Sequence, residues 1–147
     1  MAEKDIDFVL RLNEESGFIL HNGITVAEVD EQHCRLEVSV RPEGCNIFGF
    51  VHGGLIYTMA DTAAGALARY RHRGTNVTIN ASINYLSGPK EAKTLHACSR
   101  ELRSGRSIGV YEVEVFDERQ RLLATATVTM RLFPPAEKQG QHPYTSF

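Results

Sequence analysis

The chain lacks most of the features that announce a site or a compartment. It holds only three cysteines, Cys34, Cys45 and Cys98, in 147 residues. An odd, widely spaced set reads as free thiols in a reducing compartment and not as a disulfide framework. No CxxC and no HExxH occurs, so neither a structural nor a protease-type metal site is expected. No stretch approaches the roughly 20 apolar residues of a membrane span. The N-terminal "MAEKDIDFVLRLNEESGF" is acidic and has no apolar core of a secretory signal. An excess of one charge is missing too. The net charge of -2 gives no overall pull toward nucleic acid or a membrane surface. There is no internal repeat. These absences lead to the expectation of a cytoplasmic protein with one domain over residues 1–134, long enough to bury a core without disulfides or metal. Residues 135–147, rich in Pro, Gln and Gly, read as a loose tail.

What is present is periodic. Ile6, Val9, Leu10 and Leu12 fit a short amphipathic helix over about 4–16, ended near Gly17. "NGITVAEVDEQHCRLEVSV" reads as a hairpin, with Cys34, Leu36, Val38 and Val40 alternating with polar residues. Pro42, Gly44 and Gly49 mark a loop over 41–52. A long helix follows and ends before Gly74. The rest is β: "NVTINASINYLSGP", then "KTLHACSREL" and "SIGVYEVEVF" around the turn "RSGR", then "LLATATVTMRLF". In the last, Ala124, Ala126, Val128, Met130 and Leu132 share one face. Helix, two strands, long helix and four strands predict an α+β fold, one curved antiparallel sheet packed round a central helix.

The stretch "NIFGFVHGGLIYTMADTAAGALARY", Asn46 to Tyr70, carries the functional signal. On a helical wheel Leu55, Ile56, Met59, Ala60, Ala63, Ala66, Leu67 and Tyr70 form one apolar stripe. Asp61 falls on the far side with Gly54, Thr58, Gly65 and Ala68, where a surface helix would carry several charges. Both sides therefore look covered, and a second copy of the chain is the simplest cover for the second. The helix opens on Gly53 and Gly54, whose first amides have no internal partner and sit at the positive end of the macrodipole. Such donors can polarise a carbonyl, and a carboxylate can activate water or attack directly. About 12 Å of helix separates Gly53 from Asp61. The two can meet on one substrate only if Asp61 of one chain faces Gly53 of another.

The pattern N-x5-HGG-x6-D-T-A-x-G, at Asn46, His52, Gly53, Gly54, Asp61, Thr62, Ala63 and Gly65, resembles the hotdog-fold acyl-CoA thioesterases of the phenylacetate-pathway (PaaI-like) type. The resemblance runs from about Gly23 to Phe133. It implies a hotdog fold, with an antiparallel sheet wrapped around a long helix, assembled as a homodimer or homotetramer with active sites at the dimer interface. It implies that the Gly53 N–H polarises the thioester carbonyl and that Asp61 of the facing protomer acts as general base or nucleophile. Asn46 would orient substrate or water, His52 would sit beside the thioester, and Thr78 matches a hydroxyl that assists the water in some relatives. Arg103, Arg106 and Ser107, in "RSGRS", would meet the coenzyme A portion of the substrate. Coenzyme A enters as substrate, and no metal or other cofactor is implied. In one departure, the last turn, "DERQR", lacks the glycine common in relatives.

The expected activity is hydrolysis of an aryl or medium acyl-CoA to free acid and CoA. Two other readings stand beside it: a non-catalytic acyl-CoA binding or sensing protein, and a hotdog enoyl-CoA hydratase or dehydratase. Each residue also has a plain structural reading: Asp61 as a paired acid, Gly53 and Gly54 as close-packing positions, Asn46 and His52 as loop residues, and the arginines as solvated turn residues. Phe48, Phe50 and Tyr57 are candidates to shape the acyl pocket. The cysteines read as core fillers.

Overall fold

The computed structural model describes residues 3–135, with side chains from Asp7 onward. The Ile6 side chain and nearly all of the expected tail lie outside the described residues. In chain order the elements are α1 (Glu3–Glu15), α2 (Gly17–Asn22), β1 (Ile24–Val29), β2 (His33–Ser39), a 3-10 turn (Pro42–Gly44), α3 (Gly53–His72), β3 (Asn76–Tyr85), β4 (Thr94–Ser104), β5 (Ile108–Asp117) and β6 (Leu122–Leu132). The strands form one antiparallel sheet in the order β1-β2-β4-β5-β6-β3. It curls round α3, which touches all six strands. No described helix is long and apolar enough to cross a membrane.

Alternation builds the sheet. Cys34, Leu36 and Val38 on β2 point into the core, and so do Ala124, Ala126, Val128, Met130 and Leu132 on β6. Met59 and Leu67 of α3 are fully buried, a gain of about 1.5–3 kcal/mol each. α1 ends at Glu15, beside the expected stop near Gly17, and a second short helix, α2, starts at Gly17 and closes at Gly23 in the left-handed conformation. One expectation needs correction. Ala68 is not on a face turned away from the chain's own core: it is fully buried within this chain, like Ala64. The curl of the sheet exceeds the width of the apolar stripe. It reaches this flank through β4, where the Ser99 hydroxyl donates to the Ala63 carbonyl at 2.8 Å.

The two ends of the sheet differ. β1 is covered in part by α1, whose Asn13 exchanges two hydrogen bonds with the Val26 backbone at 2.7 and 3.1 Å. Among the described residues β3 pairs only with β6, leaving a ten-residue edge with Val77, Ile79, Tyr85 and Leu86 exposed along or just beyond it. The β3–β6 register shifts by one residue between Thr78 and Asn80. This bulge has a consequence for the site. Without it Thr78 and Tyr85, an odd number of residues apart, would point to opposite faces. With it, both reach α3.

Candidate active site

α3 begins at His52, which caps it: its Nδ1 accepts the Gly54 N–H at 2.8 Å. Leu55 and Ile56 both donate to the His52 carbonyl. Gly53, the first residue of the helix, is therefore the one position in this turn whose N–H has no partner among the described residues. Its carbonyl accepts the Tyr85 hydroxyl at 3.0 Å. The Gly53 carbonyl and the Gly54 N–H belong to the same peptide unit, so Tyr85 and His52 hold that unit from both ends. A Cβ on Gly53 would stand 3.3 Å from the Tyr85 ring, and one on Gly54 would stand 2.9 Å from His52 Nδ1. The expectation of two open amides is thus narrowed: Gly54 is occupied by the cap, and Gly53 is open.

Asp61 lies two turns on, half-buried on the flank of α3 under the open edge of the sheet. The Thr78 hydroxyl donates to its Oδ1 at 2.6 Å. Oδ2 has no partner among the described residues, so a proton or an electrophile can reach it. Asn46 shapes the loop before the helix: its Oδ1 accepts the Phe48 and Phe50 amides at 3.0 and 3.1 Å, while its Nδ2 has no partner among the described residues. Phe48 projects from that loop and is 68% exposed. Beside the Asp61–Thr78 pair opens a cavity of about 490 Å³, reaching Arg69, Arg73 and Asn76.

Sequence reasoning therefore named two clusters that the fold keeps apart in one chain, His52–Gly53 with Asn46 nearby, and Asp61–Thr78. Arg103, Arg106 and Ser107 join neither. They lie on or just after the end of β4, past Glu101, which pairs with His72 at 3.3 Å at the far end of α3. Tyr85 was missed. It sits in the quoted "TINASINYLSGP", but its facing depends on the bulge, which leaves no mark in the pattern. Arg69 and Arg73 were missed as well, and they read as ordinary basic residues of a last helical turn. The thiols of Cys34 and Cys98 are unreactive sheet groups. Burial above all pushes Cys34 up to about 12 and raises Cys98 as well, the reverse of what a reactive cysteine needs.

Comparison with known proteins places the chain in a family and shows the same fold elsewhere. The thioesterase superfamily profile matches residues 48–124, from the loop of Phe48 into β6. A candidate esterase of Archaeoglobus fulgidus is 32% identical over 114 residues, covering 75% of this chain and 73% of its own. The acyl-coenzyme A thioesterase PaaI of Escherichia coli is 28% identical over 102 residues, 69% of this chain and 72% of that one. The solved PaaI structure from that organism superposes with a TM-score of 0.82 at 21% identity, covering 89% of this chain and 94% of its own. A Streptococcus mutans protein solved bound to acetyl CoA gives 0.72 at 29% identity, covering 78% and 91%. The chain belongs to the thioesterase superfamily, as a thioester hydrolase of the PaaI-like hotdog type.

Proposed function

We propose that the chain hydrolyses an aryl or medium acyl-CoA at a site shared by two copies, with Gly53 from one and Asp61 from the other. One observation carries the reading: along the open strand β3, Thr78 marks Asp61 and Tyr85 marks Gly53. If two copies pair antiparallel along that edge about a dyad at Ser82, Ile83 comes opposite the other copy's Ala81 and, across the one-residue bulge, each Thr78 comes opposite the other copy's Tyr85. Each Asp61 is then brought toward the other copy's Gly53. A long, apolar, unpaired edge favours such pairing. The names of the E. coli relative and of the acetyl-CoA-bound neighbour support a CoA ester as substrate.

In this reading the thioester oxygen accepts the Gly53 N–H. Water attacks the carbonyl carbon while its proton passes to Asp61 Oδ2. The Thr78 hydroxyl steadies Oδ1. The oxyanion formed at the Gly53 N–H collapses, the C–S bond breaks, and CoA leaves as the thiolate, which takes up a proton. Direct attack by Oδ2, followed by hydrolysis of the anhydride, uses the same groups. His52 contributes by holding the Gly54 end of the peptide, and Asn46 Nδ2 would meet water or substrate. Arg103, Arg106 and Ser107 would meet CoA phosphates if the carrier runs toward the last turn of α3. Residues 1–134 would form the catalytic unit.

Thiol release from a panel of aryl and aliphatic acyl-CoAs tests the activity. Asp61→Asn is expected to lower kcat by about 10²–10⁴. Gly53→Pro deletes the open N–H with little harm to the helix, because proline is welcome at a first helical position and His52 already has the extended ψ of 132 that must precede it. A loss of about 10²–10³ in kcat is expected. Mixing the two inactive variants should restore activity to about a quarter of wild type by random reassortment of dimers. Full activity in Asp61→Asn, or no rescue on mixing, would sink the shared site.

A further inference from the structure

The cavity that opens at the Asp61–Thr78 pair continues along α3 to Arg69 and Arg73. Arg69 is exposed and its side chain has no hydrogen-bond or ion-pair partner among the described residues. Arg73 lies one turn on, its guanidinium 4.4 Å from the centre of the Tyr70 ring and 3.9 Å from Glu31. Like charges four residues apart on a helix repel. The position of Arg73 is also costly. It closes α3 in the left-handed conformation, φ 56, a place where glycine is usual. A helix C-terminus attracts cations in general, but that attraction requires neither a left-handed arginine nor two of them lining the cavity of the Asp61 carboxylate. Strained, like-charged residues persist where a ligand makes use of them. Guanidinium forks fit carboxylate and phosphate oxygens.

We propose that Arg69 and Arg73 form an anion-binding subsite for the substrate, at the end of the cavity away from Asp61. The proposal rests on the reading of Asp61 as the hydrolytic carboxylate. The anion has two possible sources: a carboxylate at the far end of the acyl group, or a phosphate of CoA. Both are oxyanions that two guanidinium groups would hold.

Four thioesters separate these sources: hexanoyl and adipoyl, each on CoA and on pantetheine. Only hexanoyl-pantetheine carries no anion. In Arg69→Ala and in Arg73→Gly, kcat/KM is expected to fall roughly 10- to 100-fold for anion-bearing substrates, mostly through KM. Loss confined to both adipoyl esters assigns the subsite to the acyl carboxylate. Loss confined to both CoA esters assigns it to a phosphate. An equal loss on all four, hexanoyl-pantetheine included, or no loss on any, overturns the proposal. Arg73→Gly guards against a folding artefact, because glycine accepts φ 56 without strain and Tm should hold or rise. Failure of the Asp61 reading is recognised separately, by Asp61→Asn keeping wild-type kcat. In that event the non-hydrolysable S-hexyl and S-(5-carboxypentyl) thioethers of CoA and pantetheine decide the subsite by calorimetry. Weaker Kd for the anionic members alone in the arginine variants supports it, and unchanged Kd overturns it.

Discussion

The first and last turns of α3 are finished in opposite ways. The first turn is closed by neutral groups, the His52 imidazole and the Tyr85 hydroxyl, and one amide is left open. The last turn is closed by charges. Glu101 on β4 draws in Arg71 at 3.0 Å, His72 at 3.3 Å and the Ser104 hydroxyl at 2.8 Å. Burial alone would raise the Glu101 carboxyl, but the Ser104 hydroxyl, the Arg71 charge and His72 outweigh it and hold it below its ordinary range. Burial, and after it the nearby Glu101 charge, pushes Tyr111 far up, so its hydroxyl stays neutral. On the proposed site, the contrast separates chemistry at the first turn from anchorage at Glu101. Variants in the first turn should change turnover more than stability, and variants of Glu101 and Gly74 the reverse.

The largest effect is expected just past the last turn. A Cβ on Gly74 would fall 1.9 Å from the Phe133 carbonyl oxygen, and backbone on both sides has little room to shift. Gly74→Ala should lose about 3 kcal/mol in denaturant unfolding, with kcat per folded molecule little changed. Glu101→Gln comes next, at roughly 1–2 kcal/mol. It also carries a pH signature. A carboxyl held below its unfolded value, about 4.3 for Glu, contributes stability that is complete above that pH and is lost as pH falls through the folded value. The Tm of the wild type should therefore drop in this acid window, and Glu101→Gln should flatten the drop. A flat wild-type profile would remove Glu101 from the anchorage. The smallest change in stability, about 1 kcal/mol or less, belongs to Tyr85→Phe, which keeps the ring against Gly53 and loses only the hydroxyl. Its kcat should still fall about 3- to 10-fold. Wild-type kcat in Tyr85→Phe, or impaired kcat in Glu101→Gln, would break the contrast between the two turns.

The same contrast shows how much the sequence could reveal. The long helix, the succession of elements along the chain and the alternation on β2 and β6 were legible, because each rests on a period that one residue in two or three repeats. Asp61, Gly53 and His52 drew attention as candidates for another reason. A lone acid among small residues and a helix that opens on glycines are local anomalies. What was hidden depends on long-range geometry. The extra residue on β3 near Ile79 has the same composition as a regular strand, yet it turns Thr78 and Tyr85 to the same side. The αL turns at Arg73 and Gln120 were hidden because neither residue is a glycine. At Gln120 the turn is held by Asp117, whose carboxylate accepts the Arg119 and Arg121 amides and the Arg121 guanidinium. These bonds account for the glycine that "DERQR" lacks. The far flank of α3 misled for a related reason: a wheel gives the direction of Ala68 but not how far a sheet will curl.

The cap on α3 also determines what His52 can do. Its Nδ1 lone pair is taken by the Gly54 amide, so in the neutral ring the hydrogen resides on Nε2. The outward edge of the imidazole is then a donor. It can offer a hydrogen bond to an acceptor, a thioester oxygen or sulfur among them, but in this tautomer it cannot remove a proton from water. A base at this end of the helix must come from elsewhere, and in the proposed shared site the other copy's Asp61 would serve.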